Sequence, residues 1–321
     1  DDAIGRELEE HLTAALGRGV EVNFLFDEIG SARLANSYIR RLREAGARFH
    51  AFSTTRRSHR FQLNFRNHRK LVVVDGLVGF TGGINVGDEY LGGDRRLTPW
   101  RDTFVQVTGP AALALQLSFL EDWHWATDEI PDWSWRPEAD PGGGNQHVLV
   151  LPTGPADVFE SCSLLFIGLG HMAQERLWIA TPYFVFDAQI TSALQLAALR
   201  GVDVRILLPA KGDHASTHFA AWSFFEAVIE SGCRIFLYDD GLLHQKVALV
   251  DEGLAMVGTA NLDTRSMRLN IELGVLVEDA EFAEQVEEML LADLAKSTEV
   301  VGGDFRRKPF LFRLFANLMR L

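Results

Sequence analysis

Apolar and polar positions run through one cycle twice along this chain. Leu8, Leu12 and Ala15 keep helical spacing, and Ile190, Leu194 and Ala197 repeat it. Arg18-Gly19-Val20-Glu21-Val22 and Arg200-Gly201-Val202-Asp203-Val204 follow, with glycine giving each helix an easy left-handed end. Residues 20–25 and 202–207 then alternate as half-buried strands. Helix and strand in this order predict an α/β protein of two pseudo-symmetric lobes, each a mostly parallel or mixed sheet flanked by helices. The second copy carries more at its front: a strand at Val148-Leu149-Val150, a helix over residues 158–173, and a strand over 177–186 ending in Thr181-Pro182-Tyr183-Phe184. The first copy has no such lead-in, so the chain is expected to begin partway through its first lobe. A complete sheet edge in residues 1–20, with no exposed apolar face, would defeat that expectation.

The expected divisions are residues 1–126 and 147–303 for the lobes, 127–146 for a linker and 304–321 for a tail. The linker carries Pro131, Pro137, Pro141 and Gly142-Gly143-Gly144, and Trp123, Trp125, Trp133 and Trp135 read as packing anchors around it. Residues 281–296 read as a helix, with Phe282, Val286, Met289 and Leu290 on one side. At 321 residues and 47% hydrophobic the composition is that of a globular chain with a large core. No apolar run reaches the ~18–20 residues that span a bilayer. Cys162 and Cys233 read as buried thiols, with no disulfide framework. A net charge of −13 argues against a general nucleic-acid binder. Basic residues nonetheless cluster at Arg56, Arg57, Arg60 and Arg66, with His59 among them, and at Arg306, Arg307, Lys308, Arg313 and Arg320. Each cluster fits either a local anion-binding patch or a solvated loop.

The candidate chemistry lies in a second repeat. His68-Arg69-Lys70 leads to Asp75, and His244-Gln245-Lys246 leads to Asp251, both in the form H-x-K-x4-D. Thr81-Gly82-Gly83-Ile84-Asn85 and Val257-Gly258-Thr259-Ala260-Asn261 follow in register. Alternate residues of an extended strand share a face, so each His points the same way as its Lys. Asp75 and Asp251 introduce turns, which gives each a structural use beside a catalytic one. If the lobes pack about a pseudo-twofold axis, His68 and His244 meet across one cleft. Lys70, Lys246, Asn85 and Asn261 then surround a tetrahedral anion with donors, as phosphoryl transfer requires. A Lys beside each His repels a cation, so no metal is expected there. Asp213-His214 with His218 mimics half a zinc site but lacks an evident third ligand.

These motifs resemble the phospholipase D superfamily over nearly the whole chain, and most of all the bacterial cardiolipin synthases. Supporting stretches are residues 80–90, Trp100-Arg101-Asp102-Thr103, Thr181-Pro182-Tyr183-Phe184 and residues 258–266. The resemblance implies an acid behind each histidine: Glu272, in Asn270-Ile271-Glu272, for His244, and Asp102 for His68. It implies attack by one histidine, here His68, to form a phosphohistidine, with His244 as acid and base. The implied reaction joins two phosphatidylglycerols into cardiolipin and glycerol without cofactor or metal. A hydrolase, a phosphatidylserine synthase, a nuclease and a non-catalytic lipid-binding module are the rival readings. The implied partners are anionic phospholipids, phosphatidylglycerol and cardiolipin, at the bacterial inner membrane, with its cytoplasmic face expected and no nucleic acid involved. In the tail, Leu311, Leu314, Phe315 and Leu318 keep helical spacing. That pattern fits an interfacial amphipathic helix, or alternatively one docked on the protein.

Overall fold

The computed structural model describes every residue except 1, 53–64, 95–96, 140–141, 186–187, 214 and 320–321. The cluster of Arg56, Arg57, His59 and Arg60 lies outside the described residues, as do His214 and Arg320. The first lobe runs α1 (Ala3–Gly17), β1 (Asn23–Asp27), α2 (Asn36–Glu44), β2 (Arg48–Phe52), β3 (Arg66–Asn67), β4 (Leu71–Val74), β5 (Val78–Gly82), β6 (Trp100–Arg101), β7 (Phe104–Thr108) and α3 (Ala111–Thr127). The second opens with β8 (His147–Thr153), α4 (Ser161–Met172), β9 (Arg176–Ala180), β10 (Phe184–Val185), α5 (Ala188–Leu199), β11 (Asp203–Pro209) and α6 (Ala215–Ile229). It continues through β12 (Arg234–Tyr238), β13 (Leu242–Leu243), β14 (Val247–Val250), β15 (Leu254–Gly258), β16 (Leu262–Asp263), α7 (Thr264–Arg268), β17 (Asn270–Glu278) and α8 (Ala280–Leu294). Last come β18 (Ser297–Glu299), α9 (Asp304–Arg307) and α10 (Phe310–Met319).

The sheets are mixed. In the second lobe β12, β11 and β9 are parallel, and β14, β15, β17 and β8 extend the sheet antiparallel. The first lobe holds a parallel pair, β1 with β2, and an antiparallel β4-β5-β7 sheet. Antiparallel pairing is heavier than the pattern predicts because each H-x-K-x4-D runs straight into a hairpin. Asp75 and Asp251 turn those hairpins at φ 55° and 50°. Aspartate tolerates that left-handed conformation better than most residues because its short side chain can bond locally.

Two apolar layers fix the lobes. One lies between the second sheet and α4, α5 and α6, with Leu177, Val204, Ile206 and Phe225 at its centre. The other joins the lobes: Val105, Val107 and Leu115 of the first pack with Val247, Leu249, Val257 and Val275 of the second. Leu71 and Val73 of β4 add to this shared core, while their neighbours Val72 and Val74 are exposed. Such close-packed interiors resist sliding, so what lies at the seam is held firmly. A smaller cluster of Tyr38, Leu42, Ala47 and Phe49 backs β1 and β2. Trp123 is fully buried, Trp133 lies tilted against Phe119, and Trp125 and Trp135 remain partly exposed.

Candidate active site

Neither H-x-K triplet lies within a regular strand. Each fills a three-residue extended gap between a two-residue bridge to the other lobe and its own hairpin. β3 pairs in parallel with the start of β17, and β13 pairs in parallel with β6. The backbone continues this stitching: His68 N–H donates to the Ile271 carbonyl at 2.9 Å, and His244 N–H to the Arg101 carbonyl at 2.7 Å.

The residue after each accepting carbonyl is an acid, so the carboxylates cross between lobes. His68 Nδ1 lies 2.9 Å from both oxygens of Glu272. His244 Nδ1 lies 2.8 Å from Asp102 Oδ2. This reverses the pairing implied by the resemblance, which gave Glu272 to His244 and Asp102 to His68. That assignment treated each lobe as self-contained, whereas the strand exchange brings each acid to the opposite imidazole. A buried carboxylate on Nδ1 fixes the tautomer that leaves Nε2 for chemistry and stabilises the imidazolium.

The two halves differ in their surroundings. Glu272 is fully buried and also accepts from Thr259 Oγ1 at 2.6 Å, Ser266 Oγ at 2.7 Å and Asn270 Nδ2 at 3.0 Å. Burial pushes its pKa up, but His68, Lys70 and the Thr259 hydroxyl outweigh that and hold it below the usual value. Asp102 has fewer supports, the Thr103 N–H at 2.9 Å and a long Trp100 Nε1 contact at 3.5 Å. Gly83 is required beside it, since a Cβ there would fall 2.0 Å from Asp102 Oδ1. The His68 side chain is 26% exposed and that of His244 only 7%. Trp100 and Tyr90 cover His244, with ring centroids 5.2 and 6.2 Å from it and 4.2 Å from each other. The motifs gave no sign of this aromatic cover.

Lys70 Nζ donates to the His68 carbonyl at 2.8 Å, and Lys246 Nζ donates to the His244 carbonyl. Lys246 also lies 2.9 Å from Nδ1 and 3.2 Å from Nε2 of His244. Burial lowers the Lys70 pKa to about 8, against the pull of Glu272, Asp102 and Asp27. Burial lowers Lys246 to about 7, with Lys70 adding to the effect. Burial first, then Lys246, lowers His244 to about 4. Lys70, Lys246, His244, Asp102 and Glu272 thus share one electrostatic neighbourhood.

The other sequence candidates divide. Asp251 sits at the far end of β14 and accepts the N–H groups of Gln174, Glu175 and Arg176 at 3.1, 2.8 and 3.0 Å. Asp75 occupies the equivalent exposed turn. Both were candidates for catalysis, and the structure seats them in the hairpin turns, four strand positions beyond the Lys. Asn85 is exposed and donates to the Tyr90 hydroxyl at 2.7 Å. Asn261 is buried, with Nδ2 3.5 Å from Asp263 and Oδ1 unpartnered. Asp213 accepts from the Tyr183 hydroxyl at 2.7 Å, and no metal-holding group of three His, Cys, Asp or Glu occurs among the described residues. Cys162 and Cys233 are buried free thiols whose pKa values burial raises.

Two α/β lobes that pool crossed H-x-K half-sites at their seam have the fold that the resemblance implies for phospholipase D-like proteins. A phosphatidylserine synthase structure from Haemophilus influenzae superposes with a TM-score of 0.71, covering 99% of this chain and 85% of that one. At 17% identity that likeness is one of fold. Residues 169–294 match the family model described as "Cardiolipin synthase, PLD-like domain". Cardiolipin synthase A of Pseudomonas fluorescens is 49% identical over 324 residues, covering all of this chain and 67% of that protein. The corresponding protein of Pseudomonas putida is 48% identical, with 66% of it covered. The chain belongs to the cardiolipin synthase family and spans about two thirds of the length of these relatives.

Proposed function

We propose that this chain carries a phosphatidyl group from one phosphatidylglycerol to another, releasing glycerol and forming cardiolipin. The observation that carries the reading is the seam itself, with two imidazoles, each held at Nδ1 by an acid of the opposite lobe and flanked by a lysine. Exposure favours His68 as the nucleophile and the covered His244 as acid and base. His68 Nε2 attacks phosphorus, an N–P bond forms, and the P–O bond to glycerol breaks. With the lipid's phosphate anion bound beside it, His244 takes up a proton at Nε2 and gives it to the departing alkoxide. A hydroxyl of the second lipid then yields a proton to His244 and attacks phosphorus, and the N–P bond breaks. One phosphodiester replaces another, so the exchange needs no nucleotide.

Lys70 and Lys246 neutralise the growing charge on the phosphoryl oxygens, with Asn85 and Asn261 as further polar groups at the same end. A buried lysine next to a binding phosphate regains its proton readily, which strengthens the clamp when substrate arrives. Docking on an anionic bilayer is part of this proposal. α10 packs Phe312 against Phe219 and Trp222 at 4.9 and 5.8 Å and buries Ala316, yet leaves Phe310, Leu311 and Leu318 exposed. One face of the tail helix is docked on the protein, and the apolar side chains left outside support the interfacial reading. Its basic residues contribute less than their number implies, because Arg306 pairs with Glu226 and Arg307 with Asp304. No helix among the described residues is long and apolar enough to cross a membrane.

The test is His68→Ala beside His244→Ala, each given radiolabelled phosphatidylglycerol in vesicles. Loss of cardiolipin formation in both is expected, with label trapped on protein in wild type. Full product from either variant would defeat the two-histidine mechanism.

A further inference from the structure

Behind each crossed carboxylate lies an arginine that the motifs do not explain. In the first half-site it is Arg69, the middle residue of H-x-K. Its Nε donates to the Glu272 carbonyl at 3.0 Å and its Nη1 to Asp122 Oδ1 at 2.9 Å. In the second half-site the middle residue is Gln245, and the arginine comes from the other strand of the bridge. Arg101 Nη1 donates to the Asp102 carbonyl at 3.0 Å, and its Nε to Asp293 Oδ1 and Oδ2 at 2.9 and 3.1 Å.

The repeat shows that these are one device built twice. Arg69 corresponds to Gln245, Arg101 to Ile271, and Asp122 of α3 to Asp293 of α8. Each half-site thus keeps one arginine, at either of two facing positions. In both halves the guanidinium bridges a buried helix aspartate and the main-chain carbonyl of the acid that orients the histidine. Asp122 and Asp293 side chains are only 10% and 5% exposed. Asn67 Nδ2 adds a bond to Asp122 Oδ2 at 2.8 Å. With its amide turned, Gln245 donates to Asp293 and accepts from Arg101 Nη2, both at 3.1 Å. A planar, permanently charged fork that joins a carboxylate to a carbonyl fixes both position and direction, which a lysine cannot match.

We propose that Arg69–Asp122 and Arg101–Asp293 are positioning clasps that set Glu272 and Asp102 against His68 and His244. They touch no substrate and act through the acids they hold. The inference rests on the proposed two-histidine reaction for its kinetic readout, but its geometry does not.

The experiment moves the arginine. Arg101→Leu should lower kcat about 10- to 100-fold, the usual effect of losing a group that orients an active-site ligand. KM for phosphatidylglycerol vesicles should stay within about twofold, and the acid limb of the kcat–pH profile should shift. Arg101→Ile with Gln245→Arg copies the first half-site's arrangement into the second and should recover most of the loss. Arg101→Lys should recover little. In parallel, 15N NMR of the labelled imidazoles, without lipid, should show His244 changing tautomer balance in Arg101→Leu and returning in the swapped variant. An Arg101→Leu protein with native circular dichroism, unchanged kcat and unchanged His244 shifts would overturn the clasp. So would a swapped variant no better than Arg101→Leu by either readout. Absence of cardiolipin formation in wild type would instead remove the reaction and leave the NMR arm to judge the clasp.

Discussion

Replacing Asp102 by asparagine tests the crossed arrangement most cleanly. The substitution keeps shape and removes one charge 2.8 Å from His244 Nδ1. The amide oxygen of the variant can still accept from the Thr103 N–H, which turns the amide nitrogen toward His244 and forces the proton onto Nε2. That tautomer cannot act as a base. Taking charge centres ~4 Å apart and an effective dielectric of ~20, the lost stabilisation of the imidazolium is about 4 kcal/mol, or about three decades in rate. The inverted tautomer adds to this, as in other oriented-histidine sites. Glu272→Gln is a poorer choice, because Thr259, Ser266 and Asn270 already donate to that carboxylate and an amide would set donor against donor. The assay is initial-rate cardiolipin formation from labelled phosphatidylglycerol in vesicles, with thermal melting to check the fold. A loss below about tenfold in a folded Asp102→Asn protein would show that Asp102 does not serve His244.

Further outcomes follow from the same geometry. Asp251→Ala should cost roughly 1–3 kcal/mol in urea unfolding, since it removes a charged acceptor shared by three backbone N–H groups, while kcat per folded molecule stays near wild type. A large selective loss of kcat would return Asp251 to the catalytic set. His244 holds a folded pKa near 4 against an ordinary 6.5. Between those values the unfolded chain binds a proton that the folded chain refuses, so this contribution is full above pH 6.5 and falls as pH drops through 4. Urea midpoints of His244→Gln should therefore decline less than wild type over that window, and parallel declines would contradict the buried, neutral imidazole. Leu311→Glu with Leu318→Glu should reduce flotation with anionic vesicles several-fold without altering the melting temperature, because both side chains are exposed. Unchanged flotation would take α10 out of membrane docking.

Much of this could be read from residue order because the chain repeats. Periodicity marked the helices, the H-x-K-x4-D pairs marked the seam, and turn chemistry at Asp75 and Asp251 already suggested their structural use. The register between lobes could not be read that way. The resemblance gave Glu272 to His244, the histidine of its own lobe, yet two bridges of two residues each carry it to His68. Local patterning holds no record of such an exchange, because it is set by which strand edges meet in the folded chain. Trp100 and Tyr90 stood beside recognised motifs, but their place over His244 depends on loop geometry. Asp122 and Asp293 lie on the corresponding helices α3 and α8, but no motif marked either of them. What hid them was the arginine's change of strand between Arg69 and Arg101.

The exchange of strands also bears on how such a protein could arise and fail. A single lobe cut from this chain would own a histidine and a lysine but would have sent its acid elsewhere. Two such fragments could work only as a mated pair, each lending its carboxylate to the other. Joining them in one polypeptide turns that loan into a permanent arrangement, and a lesion in either half then disables both.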